Sequence, residues 1–220
     1  MNAHSPLDLE RMRSALYTAV VADALDSIGY RNQVCGVELR RQSGHEVMVG
    51  RAKTTLWMDI DHEDHHPYEL ELRAVDECQP GELIVAAASG STRSGVWGEL
   101  LSTAARARGC VGALVDGLVR DVVKMNQLGF SVFARGTSPR DSLHRQRVVA
   151  IDVEVEIGGV RIDAGDLLFA DSDGVVVVPQ AVETEVLEKA WEKVSAEDRV
   201  RDEIRAGMKA SDVFRKYGVL

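Results

Sequence analysis

The chain has 220 residues, 45% of them hydrophobic and 28% charged, which excludes a disordered chain and a disulfide scaffold. Lys and Arg total 26 against 35 Asp and Glu, a formal net charge of −9, so bulk electrostatics argue against a nucleic-acid partner. Cys35, Cys78 and Cys110 are far apart with no CxxC, the opening MNAHSPLDLERMR lacks a signal-peptide pattern, and no apolar run approaches membrane-spanning length. Together these predict a cytoplasmic protein with reduced thiols and no membrane partner.

In chain order, Ser5 and Pro6 predict the start of a helix that runs to a stop at Gly29, with Leu9, Met12, Leu16, Val20 and Ala24 on one face. Residues 46–58 predict a strand, 59–66 a polar loop, and Pro67 to Cys78 a short helix. After the turn at Pro80-Gly81, residues 82–88 predict a buried strand and 89–98 a Gly/Ser-rich loop. Then follow a helix from Glu99 to Arg108, a strand over 111–117, a helix over 120–129 and a strand over 131–136. Strands alternating with helices in this way predict crossovers on a largely parallel sheet. The pattern changes at 147–157, where Gly158-Gly159 marks a hairpin, and residues 167–179 predict one or two more strands. From Ala181 the chain is charged and helical, with a separate helix at Lys209–Tyr217. No segment has the composition of a linker, so the reading is one α/β domain over residues 1–220 with a helical C-terminal arm over 180–220.

Chemistry is expected at the strand-to-helix turns 89–101 and 116–121, because ligands of open α/β sheets gather at the carboxyl ends of strands. The helix start at Gly98-Glu99-Leu100-Leu101 offers free N–H groups to an anion. The second turn sets Arg120, a planar donor, beside Asp121, a hard oxygen ligand; a helix-capping pair is the alternative. The loop with Asp59, Asp61, His62, Glu63, Asp64, His65 and His66 has metal-ligand chemistry but no rigid spacing, and reads as a solvated loop between strand and helix ahead of a metal site. Gly90 to Gly95 is a weak phosphate cradle, Lys53 the one modest Schiff-base candidate, and Asp171 and Asp173 read as turn formers.

The block WGELLSTAARARGCVGALVDGLVRDVVKMNQLGFSVFARGTSPRDS (97–142), with ADSDGVVVVP (170–179) and the tail RKYGVL, resembles the RraA-like family. That family holds regulators of ribonuclease activity and metal-dependent 4-hydroxy-4-methyl-2-oxoglutarate / 4-carboxy-4-hydroxy-2-oxoadipate aldolases. The resemblance implies a three-layer swivelling α/β/β sandwich in a homotrimer or homohexamer with sites between subunits. Its aldolase pattern, an acid, twenty residues, Arg-Asp, two residues and an acid, falls on Glu99, Arg120, Asp121 and, as a departure, Lys124. The implied roles are Asp121 on a divalent Mg²⁺ or Mn²⁺ and Arg120 on the keto or enolate oxygen of a small 2-oxo acid. Gly98, Leu100 and Leu101 would bind its carboxylate at the helix start, and Glu99 would relay a proton through water. Glu197, from a neighbouring subunit, would complete the metal shell. The implied function is a pyruvate-releasing lyase with oxaloacetate decarboxylase activity. The alternatives are a non-enzymatic ribonuclease regulator and a same-fold lyase acting on another hydroxy or sugar acid.

Overall fold

The computed structural model describes residues 6–218, so the predicted cap Ser5 lies outside the described residues. The chain opens with α1 (Pro6–Ala15) and α2 (Thr18–Ser27), followed by β1 (Arg40–Ser43) and β2 (Met48–Asp59). Next come α3 (Glu69–Asp76), β3 (Glu82–Trp97), α4 (Glu99–Ala107), β4 (Gly112–Val119), α5 (Val122–Leu128) and β5 (Ser131–Thr137). The remainder is β6 (Gln146–Ile151), β7 (Val155–Ile157), β8 (Val160–Ile162), β9 (Leu167–Ala170), β10 (Val175–Val178), α6 (Glu183–Arg205) and α7 (Ala210–Tyr217).

Parallel β2, β3, β4 and β5 form the centre of one sheet. β1 closes one edge antiparallel to β5, and β9 followed by β10 extends the other edge from the first half of β2. The second half of β2 pairs antiparallel with β6. Successive residues of β3 serve opposite faces: Ile84, Ala86 and Ala88 meet the helices α3, α4 and α5, while Leu83, Val85 and Ala87 meet the β7–β8 hairpin. A third cluster seats α1, α2 and α6 on β2, β9 and β10. Helices, sheet and hairpin give the expected three-layer α/β/β arrangement. The C-terminal arm packs on its own domain through Val186, Leu187 and Ala190. No described helix is long and apolar enough to cross a membrane.

Three sequence expectations change. The first helix is two, because Tyr17 is extended (φ −140, ψ 162) and the start of α2 is capped from afar: the Thr18 N–H and hydroxyl donate to Asp171 at 2.8 and 2.6 Å. The predicted face survives the break, with Leu9, Met12, Leu16, Val20 and Ala24 all buried. Residues 89–97 are not a loop or a phosphate cradle but the outer half of β3. Positive φ at Ser89 and Gly90 bulges the strand, and Gly95 and Trp97 then re-pair with Leu118 and Val119 of β4. Finally β4 runs on to Val119, which shrinks the second turn to Arg120-Asp121. Asp116 is buried inside the strand against Arg135 at 2.5 Å.

Candidate functional site

Because β3 and β4 pair to their last residues, the turns into α4 and α5 emerge side by side. The Arg120 N–H donates to the Trp97 carbonyl at 2.8 Å, which ties the second turn to the residue before Gly98. Gly98 is extended, and its lack of a side chain is what the turn requires. A Cβ there would lie 2.8 Å from Asp121 Oδ2 and 3.1 Å from Arg120 Cγ. Asp121 caps α5 in the left-handed region (φ 60), an uncommon conformation that short polar side chains tolerate best. This turns its carboxylate back to the start of α4, where Oδ2 accepts the Glu99 N–H at 3.3 Å. The next N–H groups, those of Leu100 and Leu101, have no carbonyl one turn earlier within the helix. Leu100 is 76% exposed, so this helix start is open to a ligand.

The Arg120 guanidinium is aimed from both sides. Its Nε lies 3.8 Å from Asp121 Oδ2, and its Nη1 lies 2.8 Å from Asp141 Oδ2. Asp141 is itself held through Oδ1, which accepts the Tyr68 hydroxyl at 2.8 Å and the Leu143 N–H at 2.9 Å. Burial raises the Asp141 pKa, but the Leu143 N–H, the Tyr68 hydroxyl and Arg120 outweigh it and hold the carboxyl below its ordinary value. Burial and the same carboxylate push the Tyr68 phenol up to about 12. Behind this chain of groups lies Glu71, 7% exposed on α3. Burial first and the Asp141 charge second push its pKa up to about 8, against a lowering by Arg120. Of the five non-glycine residues with positive φ among the described residues, Tyr68, Asp121 and His144 adjoin this cluster. Local backbone strain of this kind collects at functional sites.

The structure brings together Gly98, Glu99, Leu100, Leu101, Arg120 and Asp121. Glu99 lies at the first turn, where Oε1 accepts the Thr103 hydroxyl at 2.9 Å. Lys124 is exposed and forms no ion pair among the described residues. Glu197 is not brought to Asp121 within one chain. It sits on α6, whose packing lies over β9 and β10, and its carboxylate accepts a short hydrogen bond from Tyr17. The 59–66 loop is pinned by ion pairs, Asp61 to Arg93 at 2.6 Å and Asp64 to Arg147 at 3.0 Å. No group of three metal-ligating side chains occurs among the described residues. Lys53 is buried, and its Nζ is engaged by Asp152 at 2.7 Å rather than open to a substrate carbonyl. Sequence reasoning missed Tyr68, Glu71 and Asp141. Asp141 was visible only as part of the SPRDS stretch, and nothing local in the sequence points Tyr68 at it.

The RraA-like family profile, described as Aldolase/RraA, matches residues 18–177. The chain belongs to the RraA-like family. This RraA-like chain is 33% identical over 185 residues to a Halalkalibacterium halodurans protein named "Putative 4-hydroxy-4-methyl-2-oxoglutarate aldolase", covering 84% of this chain and 82% of that one. A solved structure of an uncharacterized protein from Pseudomonas syringae pv. tomato superposes with a TM-score of 0.83 at 28% identity, covering 97% of this chain and 99% of the other. Streptomyces coelicolor RraAS2, described as an unusual member of the RNase ES inhibitor RraA protein family, superposes with a TM-score of 0.79 at 27% identity, over 91% and 98% of the two chains. The RraA-like fold accounts for the mixed α/β layers and the C-terminal helices.

Proposed function

We propose that this RraA-like protein is a divalent-metal-dependent lyase that cleaves a 4-hydroxy-2-oxo acid of the 4-hydroxy-4-methyl-2-oxoglutarate type to pyruvate, and decarboxylates oxaloacetate at the same site. One observation carries the reading: an open helix start, a fixed guanidinium and a carboxylate converge where β3 and β4 end. The identity to the Halalkalibacterium halodurans protein supports it.

The donor set suits the metal. Asp121 is a hard oxygen donor, 40% exposed, and no closed nitrogen or sulfur cluster competes with it among the described residues. Mg²⁺ and Mn²⁺ are commonly held by one or two carboxylates with the remaining positions left to water. Asp121 would hold the ion, with Glu197 of a second copy of the chain completing the shell in a homotrimer or homohexamer. Such an ion supplies Lewis-acid stabilisation of charge developing on the substrate.

In this reading the N–H groups of Leu100 and Leu101, at the helix start opened by Gly98, bind the C1 carboxylate. Arg120 donates to the C2 keto oxygen. Glu99, through a water, takes the proton of the C4 hydroxyl as the C3–C4 bond breaks. The C4 oxygen becomes a carbonyl, and the bond's electron pair passes to C2–C3, leaving an enolate oxygen against Arg120. The same relay returns a proton to C3, giving pyruvate. With oxaloacetate the C4 carboxylate leaves as carbon dioxide and the same enolate forms, so one site serves both reactions.

The test is pyruvate release from 4-hydroxy-4-methyl-2-oxoglutarate and from oxaloacetate, coupled to lactate dehydrogenase, with Mg²⁺ or Mn²⁺ and then with EDTA. Chelator-sensitive turnover of the aldol is expected. Turnover of oxaloacetate alone assigns the aldol to another hydroxy or sugar acid. The likeness to RraAS2 favours a second reading, a ribonuclease regulator acting by protein binding. Absence of metal-stimulated turnover, with ribonuclease inhibition that Arg120→Ala leaves intact, would replace the lyase reading with that one.

A further inference from the structure

Beside the Arg120 cluster lies a cavity of about 630 Å³ lined by Asp61, Arg93, Asp141, Leu143, His144 and Arg145. It adjoins the proposed reaction centre at two points. Asp141 lines the cavity and also holds Arg120 at 2.8 Å. Arg93 precedes Gly95 by two residues on β3, and a Cβ on Gly95 would lie 3.1 Å from Arg120 Cβ. A five-carbon diacid spans about 5 Å between its end carbons. Because Asp141 belongs to both the cavity and the Arg120 cluster, a substrate of that length held at Arg120 by its keto group has the cavity beside its far end.

The charges in the cavity are unevenly satisfied. Asp61 is paired with Arg93 at 2.6 Å, and Asp141 with Arg120 and the Tyr68 hydroxyl, each at 2.8 Å. Arg145 has no carboxylate partner among the described residues. Among the described residues its Nη1 donates to the carbonyls of Asp141 and Leu143, at 3.1 and 3.3 Å, and the rest of the fork has no partner there. Nδ1 of His144 accepts the Asp64 N–H at 3.0 Å, which puts the proton of the neutral ring on Nε2 and makes that edge a donor. The lining thus offers a surplus of N–H donors with both acids already spoken for. A planar fork of donors matches a carboxylate in both shape and charge.

We propose that this cavity is an anion subsite, in which Arg145, aided by Arg93 and His144, binds a carboxylate on the half of the substrate that departs as the aldol acceptor. The proposal rests on the lyase reading for the position of the other half. It makes the protein selective for dicarboxylic 2-oxo acids over monocarboxylic ones of the same length.

Two unreactive ligands isolate this selectivity. 2-Oxoglutarate and 2-oxopentanoate share their first four carbons and differ at the fifth, a carboxylate in one and a methyl group in the other. Calorimetric titration of each, with Mg²⁺ present, should show the wild type binding 2-oxoglutarate at least tenfold more tightly. In Arg145→Gln and in Arg93→Gln the ratio should fall below threefold, and Arg145→Lys should keep part of it. A wild-type ratio near one, or a ratio unchanged in both glutamine variants, overturns the subsite. The lyase reading is judged apart, by pyruvate release. A dicarboxylate preference that depends on Arg145 in a protein that releases no pyruvate keeps the subsite and removes the lyase. Pyruvate release without that preference does the reverse.

Discussion

Asp141 Oδ2 stands 2.8 Å from Arg120 Nη1, across a turn from a residue 21 positions earlier in the chain. That contact aims the guanidinium, because its other carboxylate neighbour, Asp121, is 3.8 Å from Nε. Arg120→Ala should lower kcat for pyruvate release by about 10²–10³-fold, the usual cost of removing an oxyanion donor. Asp141→Asn keeps the shape but loses the charge, and should lower kcat by roughly tenfold, or about 1.4 kcal/mol. Tyr68→Phe should lower it less, since the Leu143 N–H still holds Asp141. Steady-state kinetics on the three variants check this order.

Gly98 and Asp121 constrain one another. The Cβ of Gly98→Ala would sit 2.8 Å from Asp121 Oδ2, so the carboxylate must move off the Glu99 N–H. A cost of about 1–3 kcal/mol in stability is expected from overpacking, with a larger loss of metal affinity than of fold. Denaturant unfolding and metal titration of the same variant separate the two effects.

Lys124 places a positive charge on the first turn of α5, whose cap is Asp121. Lys124→Glu should favour the metal by about 1 kcal/mol, seen as a roughly fivefold lower half-saturating Mg²⁺ concentration. Asp121→Ala should abolish chelator-sensitive turnover altogether. A fully active Asp121→Ala variant would remove the metal assignment.

Glu71 gives the fold a pH dependence of known sign. Its pKa is raised from 4.5 to about 8 in the folded protein, chiefly by burial. The folded state therefore binds more protons than the unfolded state between these values, and stability falls as pH rises through them. The contribution is whole below 4.5 and spent above about 8. At about 1.4 kcal/mol per unit, the loss is a few kcal/mol. Glu71→Gln cannot ionise, so thermal unfolding of the variant should be flatter over this range and stronger than wild type at pH 8.5.

The turns that build the site were legible because both signals are local. A helix start after a strand is marked by a capping residue such as Gly or Asp, and Gly98 and Asp121 carry that mark beside Glu99 and Arg120. The core faces were legible for the same reason, since burial follows the period of the element, as Leu9 to Ala24 show. The length of β3 was not. Ser89 to Gly95 reads as loop by composition, and only pairing to Gly117, Leu118 and Val119 makes it strand. The break at Tyr17 was equally hidden, because the cap of α2 comes from Asp171, 153 positions away from Thr18.

By itself, then, the sequence determined the alternation of strands and helices, the buried faces, and the residues at the two strand ends, since each depends on neighbours within a few positions. The tertiary structure alone decided that Tyr68, Glu71 and Asp141 stand behind Arg120, and that Arg145 opens onto a cavity with no carboxylate partner among the described residues. It also decided that Glu197 turns to Tyr17 rather than to Asp121 within one chain. The physical reason is that hydrogen bonds and ion pairs between distant segments are set by how the layers pack, and one chain's periodicity carries no record of which surfaces meet.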